Sequence, residues 1–147
     1  MEIAILGLGC FWGPEIKFSK LDGIIKTEVG YCGGNSSETT YKEVCTGTTN
    51  HAEVVKLDFD PKIISYEEIL KYFFKIHDPT TLNSQGPDFG TQYRSEIFYD
   101  NENQKIIAEK VLNQKNEKLS GRVVTKISKI YNYCKAEEYH QKYLEKN

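Results

Sequence analysis

No two cysteines in this chain stand in C-x-x-C spacing; the four lie apart at positions 10, 32, 45 and 134. That removes a thioredoxin-type redox motif and a zinc ribbon, which both need paired sulfurs on one short loop. Metal ligands at a recognised spacing are absent too, and His51, His77 and His140 are dispersed. No apolar run approaches the ~20 residues that cross a bilayer, and Glu2 stands where a secretory leader carries its positive region. The formal charge is only −2, with Lys and Arg scattered, which argues against nucleic acid or an acidic membrane surface as partner. Gly7-x-Gly9 is no dinucleotide loop, because Trp12 occupies the place of the third glycine. Internal repeats, linkers and low-complexity segments are missing. The expectation is one soluble domain over residues 1–147, monomeric, in a reducing cytoplasm, with neither metal nor organic cofactor.

What the chain does have is aromatic side chains, ten Tyr, seven Phe and one Trp, and one conspicuous junction. Gly9-Cys10-Phe11-Trp12-Gly13 follows the apolar run Ile3–Leu8 and precedes a helix expected from Pro14 to Leu21. A cysteine between strand and helix meets free backbone N–H groups and the positive helix end, which favour a thiolate nucleophile. The alternative is a buried, unreactive thiol.

Alternation marks Ile24–Tyr31 as a strand with Ile25, Thr27, Val29 and Tyr31 on one face. Tyr41–Cys45 suits a single helical turn. In His51–Asp60, Glu53 falls in register with Val55, Leu57 and Phe59 on the apolar face. A carboxyl there is desolvated and keeps its proton near neutral pH; if the strand starts later, Glu53 is a solvated loop residue. Ser65-Tyr66-Glu67-Glu68 reads as a capping box before the stripe Ile69, Leu70, Phe73 and Phe74. From Pro79 to Gln92 the chain is aperiodic. A strand over Tyr93–Asp100, a helix over Asn101–Leu119 capped by Asp100, a strand over Val123–Tyr131 and a helix over Ala136–Glu145 complete it. Polar strand faces argue against a doubly wound parallel sheet. The expected fold is α+β: a two-layer sandwich with a mixed sheet and a ferredoxin-like split β-α-β core.

One thiol, one protonated carboxyl and several phenols suit attack on an atom whose oxygen must be protonated as it leaves. The competing chemistry is a Cys/His thiol acyl hydrolase using Cys10 and His51. The chain also resembles the A-type peptide methionine sulfoxide reductases, which act on the S epimer. The resemblance is carried by Gly9-Cys10-Phe11-Trp12-Gly13, Gly30-Tyr31-Cys32-Gly33-Gly34, Tyr41–Gly47 with His51-Ala52-Glu53, and Phe59-Asp60-Pro61. His77-Asp78-Pro79-Thr80, Asn83-Ser84-Gln85-Gly86, Asp88–Ser95, Ala136-Glu137 and Tyr139-His140-Gln141 extend it along most of the chain.

The resemblance implies Cys10 as nucleophile and Glu53 as acid, assisted by Tyr41 and Tyr93. Phe11, Trp12 and Tyr93 would hold the substrate methyl, and Asp88 would shape the polar side of the pocket. The product on Cys10 would be a sulfenic acid, reduced by thioredoxin, glutaredoxin or a small thiol. Many relatives carry resolving cysteines in a C-terminal tail, which this sequence does not have; Cys134 and Cys32 are the candidates left for that step, and Cys45 is read as structural. Asn50 replaces the glycine usual before His-Ala-Glu.

Overall fold

The computed structural model describes residues 1–146. The chain runs β1 (Glu2–Leu8), α1 (Trp12–Ser19), β2 (Ile24–Cys32), α2 (Tyr41–Cys45), β3 (Ala52–Phe59), α3 (Tyr66–Lys75), β4 (Ser84–Gln85), β5 (Asp88–Phe89), β6 (Ser95–Tyr99), α4 (Glu102–Lys118), β7 (Lys126–Lys129), β8 (Cys134–Lys135) and α5 (Tyr143–Lys146). Six strands form one sheet in the order β7-β6-β1-β3-β2-β8, and β4 and β5 make a separate small hairpin. β3 lies antiparallel between β1 and β2, and β1 lies antiparallel between β3 and β6. The central four strands therefore form two interlocked split β-α-β units, the ferredoxin-like arrangement. β7 joins β6 in parallel, which makes the sheet mixed.

The sheet is amphipathic by alternation, and its more apolar face takes the helices. Ala4, Leu6 and Leu8 of β1, Val55, Leu57 and Phe59 of β3 and Ile97 of β6 are buried against Phe18 of α1, Ile69, Leu70 and Phe73 of α3, and Ala108 and Val111 of α4. Burial of these side chains dominates the stabilisation, at roughly 1.5–3 kcal/mol for each large one. The other face buries a smaller cluster, Ile5, Cys32, Ala52, Val54 and Phe98, beneath Ile130 and Tyr133.

Several sequence expectations shift for identifiable reasons. α1 begins at Trp12, so Pro14 sits inside its first turn. A bulge between Ile24 and Lys26 takes Ile25 out of register and leaves it exposed. Asn101, not Asp100, caps α4: its side chain accepts from the Gln104 N–H at 2.9 Å. Ile106 points to solvent while Gln104, Ala108 and Val111 line the buried stripe. The segment 79–92 is not structureless, since it holds β4 and β5. The helix expected over Ala136–Glu145 is instead a 3₁₀ turn over Glu138–His140 followed by the short α5, and the strand β8 precedes it.

Candidate active site

β1 and β2 end, and β3 and β6 begin, at one edge of the sheet, where Leu8 pairs with Ser95 and Tyr31 with Glu53. Cys10 lies two residues beyond β1. Gly9 makes the turn with φ +98°, and a Cβ there would come within 2.9 Å of the Gln85 side chain. Only glycine allows both the dihedral and this close approach. Gln85 accepts from the Asp78 N–H at 3.0 Å and donates to the Thr81 hydroxyl at 3.2 Å. The β4–β5 hairpin, with Asp88, is thereby anchored beside Cys10.

Glu53 is 1% exposed. One carboxyl oxygen, Oε1, accepts from the Phe11 backbone N–H at 3.2 Å, directly after Cys10 in the chain. The other, Oε2, is buried and has no hydrogen-bond partner. Burial pushes the carboxyl up to about 8; the Phe11 N–H pulls against this and the Asp88 charge adds to it. At neutral pH Glu53 therefore keeps its proton, and the unpartnered Oε2 is the oxygen left to carry it.

Cys10 is half-buried, and burial pushes its thiol up to about 11. The N–H of Trp12, the first residue of α1, opposes this, while Glu53, Asp88 and Cys45 raise it further. The thiolate expected at a helix start is thus corrected. Desolvation outweighs one amide, and the resting site holds a neutral thiol.

Tyr41 on α2 and Tyr93, in the 3₁₀ turn after β5, both feel Glu53 and each other's surroundings. Burial raises both phenols, Tyr93 to about 12, so each remains a donor. Asp88 on β5 acts electrostatically on Cys10, Glu53 and Tyr93. Phe11 is buried with Val29, Tyr31 and Val44, against Trp12 and Tyr41. The Trp12 indole stacks on Tyr143 at 3.9 Å and donates its Nε1–H to His140 Nδ1 at 3.1 Å. Cys10, Phe11, Trp12, Tyr41, Glu53, Asp88 and Tyr93 thus gather at one edge of the sheet.

The two other candidate thiols lie elsewhere. Cys32 is fully buried on the opposite sheet face, its thiol directed at the Tyr131 carbonyl at 3.3 Å. Cys134 sits opposite Tyr31 on β8, 3.7 Å from the Thr39 carbonyl. Cys45, read from sequence as structural, is exposed and acts electrostatically on Cys10. His51 spends Nε2 on the Ser36 carbonyl at 2.8 Å, so the histidine that reaches the Cys10 neighbourhood is His140. Among the described residues no group of three or more His, Cys, Asp or Glu side chains is placed to hold a metal ion.

A family model described as peptide methionine sulfoxide reductase matches residues 2–147. The chain belongs to that family. It is 79% identical over 146 residues to the peptide methionine sulfoxide reductase MsrA of Pelagibacter ubique (strain HTCC1062), covering 99% of both chains. It superposes on reduced Mxr1 of Saccharomyces cerevisiae with a TM-score of 0.95 at 42% identity, over 99% of this chain and 85% of that one. It also matches Mxr1 in complex with Trx2, with a TM-score of 0.69 at 27% identity, over 97% of this chain and 84% of that one.

The residues that position the reductase site come largely from the C-terminal segment, which the sequence pattern took for a helix over Ala136–Glu145. Glu137 accepts from the Tyr31 hydroxyl at 2.8 Å and from the Tyr41 N–H at 2.9 Å, tying α2 to β2. Gln141 accepts from the Val29 N–H and donates to its carbonyl, both at 2.9 Å, in the manner of an added strand. Buried Glu15 of α1 accepts from Thr27 and from the Lys142 N–H. In the sequence only their polar character within a family motif marked Glu137 and Gln141; nothing marked Glu15.

Proposed function

We propose that residues 1–147 act as one catalytic domain that reduces the S epimer of methionine sulfoxide, free or in peptides, with an external thiol as final reductant. Cys10 attacks the sulfoxide sulfur. Glu53 and the phenols of Tyr41 and Tyr93 hydrogen-bond the oxygen, and Phe11, Trp12 and Tyr93 enclose the methyl group. Asp88 sets the polar side. The substrate S–O bond breaks, a Cys10 S–O bond forms, Glu53 gives its proton to the transferred oxygen, and the thiol proton replaces it on Glu53. Substrate sulfur gains two electrons and Cys10 sulfur loses two, giving methionine and a sulfenic acid. Protonation of the oxygen by Glu53 places positive charge beside the thiol, which supplies the ionisation that the resting site opposes.

The observation that carries this reading is the Glu53 carboxyl, with one oxygen held by the amide after Cys10 and its protonated oxygen buried without a partner. A buried orphan donor costs about 1–3 kcal/mol, a cost that a ligand oxygen removes. The acyl-hydrolase alternative lacks support, because the His51 ring is bonded to Ser36 and His140 Nδ1 is occupied by Trp12.

The yeast relative's complex with Trx2 supports a thioredoxin as reductant. Four unpaired thiols support a reducing compartment, the cytoplasm, as the place of work, and we assign the working form as a monomer. Among the described residues no helix is long and apolar enough to cross a membrane. Of the thiols read as resolving, we retain Cys134 over Cys32, which would have to cross the sheet to meet Cys10.

The test is turnover of the separated epimers with dithiothreitol. The S epimer should be consumed and the R epimer spared, with Cys10→Ser inactive. Equal rates on both epimers, or an active Cys10→Ser variant, would overturn the proposal.

A further inference from the structure

Arg94 and Glu96 form a buried ion pair, 8% and 3% exposed, that the mechanism leaves unused. Arg94 Nε donates to Glu96 Oε1 at 2.6 Å, and Glu96 Oε2 accepts from the Ser128 hydroxyl of β7 at 2.6 Å. The guanidinium lies on the sheet face that carries Cys32 and Phe98. A Cβ at Gly33 would come within 3.1 Å of Arg94 Nη2 and 2.8 Å of the Phe98 ring. A buried pair adds little net stability, because desolvation of two charges offsets most of their attraction. What it does supply is direction. With Nε committed to Glu96, the planar guanidinium has one orientation, and its Nη1 donates to the Thr91 carbonyl at 2.9 Å. The same carbonyl accepts from the Arg94 backbone N–H at 3.3 Å, which closes the 3₁₀ turn Thr91–Tyr93.

We propose that Arg94 and Glu96 are positioning residues for the reductase: together they clamp the turn that presents the Tyr93 phenol to the sulfoxide oxygen. The role rests on the reading of Tyr93 given above. Burial and neighbouring charges act on the Tyr93 hydroxyl, and among the described residues no hydrogen bond does. The place of the phenol is therefore set through its backbone. A single 3₁₀ turn holds itself poorly, because its hydrogen bonds are few and strained in geometry. Here the Tyr93 N–H reaches the Gly90 carbonyl at 3.0 Å, and the rest of the turn depends on Thr91. The chain after the turn is fixed to the sheet, where Ser95 pairs with Leu8 and Glu96 with Gly7. The guanidinium carries that fixity back across the turn, from Glu96 on β6 to the Thr91 carbonyl. A side chain without the fork can meet one of these two acceptors, but cannot be aimed at the second by the first.

The test is a double-mutant cycle against Tyr93→Phe, read in kcat/KM for methionine-(S)-sulfoxide. The pair is removed as a unit, Arg94→Met with Glu96→Met, so that no charge is left buried alone. Tyr93→Phe should lose about 3- to 10-fold, the worth of one hydrogen bond, and the paired variant should lose a similar amount. The triple variant should stay within about twofold of Tyr93→Phe, because both changes remove the same contact. The Tyr93 ring cross-peak in a ¹H–¹³C spectrum, assigned by its absence from Tyr93→Phe, should move in the paired variant. The methyl signals of Leu57 and Leu70 in the main core should stay in place and report an intact fold. Arg94→Lys, which keeps the charge and gives up the fork, should move the same cross-peak and serves where the paired variant does not fold. Losses that multiply in the triple variant, or wild-type kcat/KM in both the paired variant and Arg94→Lys, would overturn the positioning role. A Tyr93 cross-peak unmoved in both would overturn the clamp. Failure of the wild type to reduce any sulfoxide would overturn the functional reading of Tyr93, while leaving the spectral result to decide the clamp alone.

Discussion

At the scale of single residues, Glu53 trades stability for chemistry. Burial raises its folded-state pKa to about 8, above the 4.5 of the exposed group. Between those values the native state binds more protons than the unfolded chain, so its contribution to stability is complete below about 4.5 and is lost as pH rises through about 8. We expect Glu53→Gln, which removes the ionisable group, to raise the melting temperature at pH 8.5 and to leave it nearly unchanged at pH 4.5, measured by thermal unfolding across that range. Equal shifts at both pH values would mean that desolvation of the carboxylate is not the cost. Alternation put Glu53 in register with Val55, Leu57 and Phe59 but left the start of the strand open, and it is the start of β3 at Ala52 that puts Glu53 inside the strand and buries it. The state of Cys10 was not legible. A helix start argues for a thiolate, but burial outweighs the Trp12 N–H, and the charges that add to it, on Glu53 and Asp88, come from elements distant in sequence.

At the scale of elements, the strongest periodicities were read correctly and the weakest were not. The capping box at Ser65 and the stripe of α3 are local, and both are present: the Ser65 Oγ accepts from the Glu68 N–H at 3.1 Å, and the Glu68 carboxylate from the Ser65 N–H at 3.1 Å. Ser65→Ala should cost about 1 kcal/mol in denaturant unfolding with no effect on turnover. β8 and the turns that follow it are held instead by long-range hydrogen bonds, 96 to 128 residues apart in sequence, which no window of periodicity contains. Gly30 is where this strap meets β2, and a Cβ there would lie 2.7 Å from the Cys134 carbonyl oxygen and 2.8 Å from the Tyr133 ring. Gly30→Ala should therefore destabilise by roughly 1–3 kcal/mol. It should also raise KM, because the strap that carries Glu137 and His140 is displaced. Wild-type KM in this variant would separate the strap from the site.

At the scale of the whole molecule, the ferredoxin-like sheet brings four strand ends to one edge, and the site is assembled there from segments between residues 10 and 143. The split β-α-β units were legible because strands and helices alternate in order. The hairpin carrying Asp88 and the face on which each thiol lies depend on tertiary closure and were not. Those faces predict the fate of the oxidised enzyme. After one turnover without reductant, peptide mapping should find Cys32 still a free thiol, and a Cys10–Cys32 disulfide would contradict the sheet as a barrier. The claim on which all this rests is that a thiol at 10 and a retained proton at 53 act on the same sulfoxide. Its most direct measurement is the rate of methionine formation in that first turnover, followed from pH 6 to 10 in wild type and in Glu53→Gln. We expect the wild-type rate to fall as pH rises through about 8, and the variant to run ~10²–10⁴-fold slower without that fall. A Glu53→Gln enzyme that matches the wild type at neutral pH would contradict it.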